Sequence, residues 1–84
     1  MNKEDFTFVI TTFKSEKIIF DCIKNIPSEC HKIVIENSFD NNLKNDLEKK
    51  FNNLKCYIMK DNLGYGKANN YGIKKSNTKY VFII

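Results

Sequence analysis

Histidine and proline each occur once in this sequence, glycine and cysteine three times each, and tryptophan and arginine not at all. Each scarcity closes a class. Cys22, Cys30 and Cys56 are odd in number and form no Cys-x-x-Cys pair, so neither a disulfide framework nor a zinc ligand set is expected. Cys30 and His31 are neighbours, but two donors do not make a metal site. Free thiols in a reducing cytoplasm are the expectation. The longest apolar runs, such as Tyr80–Ile84, fall far below the ~20 residues that span a bilayer. The amino terminus reads Met-Asn-Lys-Glu-Asp, which does not resemble a secretory signal. Low-complexity tracts, long linkers and internal repeats are missing as well.

Charge is modest. The 14 basic side chains are scattered lysines that exceed the 10 acids by four. Nucleic-acid binders usually show a clustered basic stripe with arginine or interleaved aromatics, so no nucleic-acid partner is expected. The excess suits a smaller anion such as a nucleotide diphosphate. With 84 residues, of which 42% are apolar, the chain has material for one domain with one modest core.

What is there alternates regularly. Phe6–Thr12 (FTFVITT) is β-branched and aromatic, which predicts a strand covered on both faces. Ser15 is a candidate N-cap. Ile18, Ile19, Cys22, Ile23 and Ile26 then recur at helical spacing until Pro27 ends the pattern. Lys32–Glu36 reads as a second strand, Asn42–Phe51 as a helix and Leu54–Lys60 as a third strand. Asp61–Gly66 reads as a loop, Lys67–Lys75 as a helix with Ala68, Tyr71 and Gly72 toward the sheet, and Tyr80–Ile84 as a fourth strand. The order β-α-β-α-β-α-β predicts an α/β fold, a three-layer α/β/α parallel sheet of four strands with right-handed crossovers. In such sheets ligands bind beyond the carboxyl ends of the strands. That rule singles out the loops Thr12–Ser15, Glu36–Asn42 and Asp61–Gly66.

Two nucleotide motifs fail. Gly64-Tyr65-Gly66 has Asn69 where G-x-G-x-x-G needs its last glycine, and it follows the third strand of the series. Gly66-Lys67 is followed by Ala68, and no glycine precedes Gly66 by five, so there is no P-loop. Taken alone, the glycines fit a tight turn with positive φ, but a helix opening there could also hold negative charge. Glu36 reads either as an exposed loop acid or as an acceptor for a ribose hydroxyl or base N–H. Asp40 reads as a helix N-cap. Thr11 and Thr12 fit a plain strand as well as a binding site.

Together, FVITTFK, KIVIENSFD, DNLGYGKANNYGI and TKYVFII resemble family 2 glycosyltransferases of the rhamnosyltransferase-like group. The resemblance runs from Phe6 to Ile84 and is most specific over Asn62–Gly72. It implies the N-terminal half of a GT-A (Rossmann-like) domain, with residues 1–84 as a single truncated unit. The parent enzyme would move a sugar from a UDP- or dTDP-sugar to an acceptor hydroxyl with inversion, as in bacterial cell-surface polysaccharide synthesis. It would be cytoplasmic, or peripheral at the inner face of the membrane. Thr11, Thr12 and Phe13 would line the base and ribose pocket. Glu36 would replace the family's Asp, and Asn37 would shape its turn. Asn62, Gly64 and Gly66 would form the loop near the base and phosphates, with Lys67 and Asn70 close by. A divalent metal (Mg or Mn) is implied for the full-length protein and none for this chain, because the sequence stops where the metal-binding acids would follow. Two further departures are the missing Asn after Thr12 and an acidic loop one residue short. The expected strand order is 3-2-1-4, leaving Tyr80–Ile84 as an edge for homodimerisation or other self-association.

Two other readings remain. A flavodoxin- or receiver-like binding module would favour acids at the end of strand one, which ends in Thr11-Thr12. A nucleotidyltransferase would carry a glycine-rich basic loop there, and Phe13–Lys17 has no glycine.

Overall fold

A computed structural model of the chain describes residues 2–60 and 64–84, with the side chain of residue 65 excepted. After a short 3-10 turn (Lys3–Asp5) come β1 (Phe6–Thr12), α1 (Glu16–Lys24), β2 (His31–Glu36) and α2 (Asn41–Lys50). They are followed by β3 (Leu54–Ile58), α3 (Gly64–Lys75) and β4 (Tyr80–Ile83). The four strands form one parallel sheet, as the pattern predicts, in the order β3-β2-β1-β4 that the family resemblance implies. The order turns back beside β1: β2 lies on one side of it and β4 on the other.

Strand alternation divides the core in two. Ile10, Val34, Leu54 and Cys56 point to one face and pack with Ile19 and Ile23 of α1 and Leu43 and Leu47 of α2. Val9, Ile33 and Ile35 point to the other and pack with Met59 and with Ala68 of α3. Gly72 is why α3 can lie so close: a Cβ there would collide with Val9 and touch Ile35.

Three local outcomes differ from the pattern. Helix α3 begins at Gly64, ahead of the expected Lys67, so Gly64 and Gly66 belong to its first turn. Residues 61–63, the rest of the expected loop, lie outside the described residues. On α1, Ile19 and Ile23 are buried but Ile18 is 71% exposed, because the helix rests its Ile19–Ile23 line on the sheet. Lys32, the second residue of β2, is buried: its ammonium donates to the carbonyls of Ser28 (3.2 Å) and Asn52 (2.8 Å). Burial lowers its pKa, and the two carbonyls offset part of the desolvation cost.

The sheet's two edges are built differently. At the β3 edge, Cys56 turns both backbone groups away from β2. Its N–H donates to Glu48 Oε2 (2.8 Å) and its C=O accepts from Lys44 Nζ (2.9 Å). Lys44 and Glu48 are themselves paired at 2.8 Å, one turn apart on α2. Burial pushes the Glu48 carboxyl up, but the Cys56 N–H and Lys44 outweigh it and its pKa lies below the ordinary value. The Cys56 thiol, buried from water, is pushed up to about 12. At the other edge no described strand lies along the far side of β4. There Phe6 stacks on Tyr80 and Phe82, and Phe8 on Phe82, with ring centroids 5.2–5.5 Å apart. Tyr80, Phe82, Ile83 and Ile84 are all exposed.

Candidate functional site

The carboxyl ends of β1 and β2 lie side by side, with Thr12 in register with Glu36. Asn37 N–H donates to the Thr12 carbonyl (3.0 Å), extending the ladder one step past the strands. This joins Thr12, Glu36 and Asn37 in one buried group.

Glu36 is 0% exposed, which overturns its reading as a surface loop acid. Both of its oxygens are occupied by its own loop. Oε2 accepts from the N–H groups of Ser38 (2.9 Å) and Asp40 (2.8 Å), and Oε1 from the Ser38 hydroxyl (2.5 Å). Charge-assisted bonds of this kind are the strong ones. The tightened loop then delivers Asp40 to cap α2, accepting from Leu43 N–H at 2.9 Å. Ser38 also reaches across the cleft: its Oγ accepts from Lys14 N–H at 3.4 Å.

Two atoms in the group are unanswered. Thr12 Oγ1 and Asn37 Oδ1 are buried and have no hydrogen-bond partner. Buried polar atoms are nearly always paired, so these two exceptions at the ends of neighbouring strands call for an explanation. Thr11, one residue back, donates from its hydroxyl to Asn69 Oδ1 (2.8 Å), tying the end of β1 to α3.

An open cleft of about 570 Å³ lies between the β1–α1 and β2–α2 loops; Thr12, Glu36 and Asn37 are not among the residues that line it. Its lining includes Lys14, Ser15, Ser38, Phe39 and Asp40. The first turns of α1 and α2 both face it. Ser15 is the N-cap of α1, as expected, but its hydroxyl donates to the Phe13 carbonyl and leaves the helix N–H groups uncapped. Phe13 is 47% exposed, with the Lys14 ammonium 5.3 Å from its ring centroid. Lys14 and Phe39 both have positive φ, 52° and 61°.

The remaining expected site residues sit apart from that group. Gly64 has φ +76°, as a tight turn requires, while Gly66 is helical. Gly66, Lys67 and Asn70 are exposed on α3, and Asn62 lies outside the described residues. Two residues were not legible as site members. Asn69, next to the expected Asn70, is the one turned inward, a choice set by where α3 docks. Phe39, exposed on the wall of the cleft, is the other.

Among the described residues, no three His, Cys, Asp or Glu side chains stand close enough to hold an ion. Glu36 and Asp40 are already engaged by their own loop and by the start of α2, while Glu16 of α1 also lines the cleft. No helix among the described residues is long and apolar enough to cross a membrane.

No protein-family model matches the chain, and neither does any curated protein. Among solved structures the chain is similar to S. aureus TarS (residues 1–349), a glycosyltransferase. Identity is 25% and the TM-score 0.77 over 94% of this chain. The match covers 26% of the TarS chain, so these residues span about a quarter of its length. The chain therefore has a glycosyltransferase-like α/β fold.

Proposed function

We propose that this chain is the nucleotide-binding part of a family 2, rhamnosyltransferase-like glycosyltransferase that uses a UDP- or dTDP-sugar. The observation that carries the reading is the pair of unpartnered buried oxygens, Thr12 Oγ1 and Asn37 Oδ1, at the strand ends of a glycosyltransferase-like fold. Asn37 Oδ1 needs a donor, and Thr12 Oγ1 takes either role. A ribose hydroxyl or the ring N–H of a pyrimidine satisfies both requirements. Thr11 and Phe13 complete the base side of the pocket. Asn62, Gly64, Gly66, Lys67 and Asn70 form the side that meets the phosphates. Glu36 serves this pocket by fixing the turn that carries Asn37. A divalent ion, Mg or Mn, is the cofactor this reading assigns to the full-length enzyme.

Titration with UDP or dTDP tests the reading. Binding in the millimolar range, about 4 kcal/mol, is expected. Amide shifts should fall at Thr12, Asn37 and the loops facing the cleft. Shifts confined to the opposite end of the sheet would remove this assignment.

The β4 edge carries the proposed self-association. Unpaired strand edges recruit other strands, and charge on an edge opposes this. Phe82, 45% exposed on that edge, is the place to put one. Sedimentation of the wild-type chain should show dimer or larger species, and Phe82→Lys should shift them to monomer. A wild-type chain that stays monomeric at high concentration contradicts the proposal.

A further inference from the structure

Phe39 combines three properties rarely found together. It is a bulky residue with φ +61°, in the left-handed region that such side chains avoid. It is 55% exposed, so little burial repays that conformation. Its ring lines the 570 Å³ cleft beside the β1–α1 loop. Backbone strain persists only where the surroundings impose it. Here the cause is visible: the residues on either side, Ser38 and Asp40, both donate their N–H groups to Glu36 Oε2. The buried carboxylate gathers the two flanking amides onto one oxygen, and the residue between them is turned outward into the cleft.

We propose that Phe39 is a stacking platform for the base of the bound nucleotide, and that Glu36 is the positioning residue that holds it there. This rests on the nucleotide-binding reading above and adds to it the group that grips the base. A planar base is the ligand chemistry that an exposed ring at a cleft wall fits, because every base presents a π-face. Lys14 stands on the opposite loop of the same cleft, suited to the negative charge a nucleotide brings.

The test uses Phe39→Gly and Glu36→Gln in the whole chain, with UDP as the probe. Glycine adopts φ +61° freely, so Phe39→Gly should unfold at no lower urea concentration than wild type. Its affinity for UDP should nevertheless fall by about tenfold or more. In the wild type, the uracil H5 and H6 resonances should move upfield on binding as they enter the ring current of Phe39. Phe39→Gly should abolish that shift. Glu36→Gln puts an amide donor against N–H groups that need an acceptor, so the turn opens and UDP affinity drops. In the Phe39→Gly background the same change should cost less than it does in the wild type, because only the part that acts through Asn37 remains. Equal UDP affinity in wild type and Phe39→Gly would overturn the inference and leave the proposed function standing. So would additive losses, which would mean that Glu36 does not act through Phe39, or a fall in urea midpoint for Phe39→Gly, which would make Phe39 a packing residue. A wild-type chain that binds no nucleotide would remove both.

Discussion

Replacing Gly72 by leucine is expected to destabilise the domain by about 3 kcal/mol or more. A Cβ at this position collides with Val9 Cγ1, and it approaches Val9 Cγ2 and Ile35 Cγ1 at 3.4 and 3.5 Å. Val9 and Ile35 are fully buried β-branched residues in the middle strands, so neither can swing aside. α3 must lift off the sheet, and Ala68 and Tyr71 lose their packing with it. A domain of this size holds only about 4–12 kcal/mol in total, so the loss is a large share. Gly72→Ala should cost less, about 1–2 kcal/mol, because alanine regains about 1 kcal/mol of helix propensity. Urea denaturation measures both. A leucine variant with the wild-type midpoint would show that α3 does not rest on these strands.

Glu36→Ala is expected to cost about 2–4 kcal/mol, since it strands buried donors that had a charged acceptor. The donors are the N–H groups of Ser38 and Asp40 and the Ser38 hydroxyl. Loss of the turn should also release Asp40 from the start of α2. Hydrogen exchange gives the local signature: the amides of Ser38, Asp40 and Leu43 should exchange much faster in the variant. The far end of the sheet, around Lys32 and Leu54, should change only through global stability. Unchanged protection at those three amides would mean the carboxylate does not organise the turn.

The strands and the α/β class were legible because apolar β-branched runs alternated with helical spacing and Gly, Pro and Asn punctuation, whereas the strand order came only from the family resemblance. Asp40 was legible as a cap because its chemistry is local. What the sequence hid depends on distant partners. Gly66 read as loop because glycine is a poor helix former, yet α3 runs through it; Gly64, with φ +76°, opens the helix in the turn geometry expected of it. Lys32 gave no sign that two loop carbonyls would receive its ammonium. Glu36 was visible as an acid at a strand end, but not that its oxygens would turn back on its own loop. Phe39 could not be singled out because its interest lies in a backbone angle, which no side-chain pattern records.

The Lys44–Glu48 clamp on Cys56 has a consequence for assembly size. A sheet with two live edges can add copies at both ends and run on into a fibre. Here one end is stoppered by an ion pair on the domain's own helix. Copies that join edge to edge through β4, related by a two-fold axis, therefore present only stoppered ends to the solution. If copies pair in this way, the covered Cys56 position at each free end opposes further growth by strand pairing. Cutting the clamp, rather than altering β4, is the change that would turn a self-limiting pair into a filament.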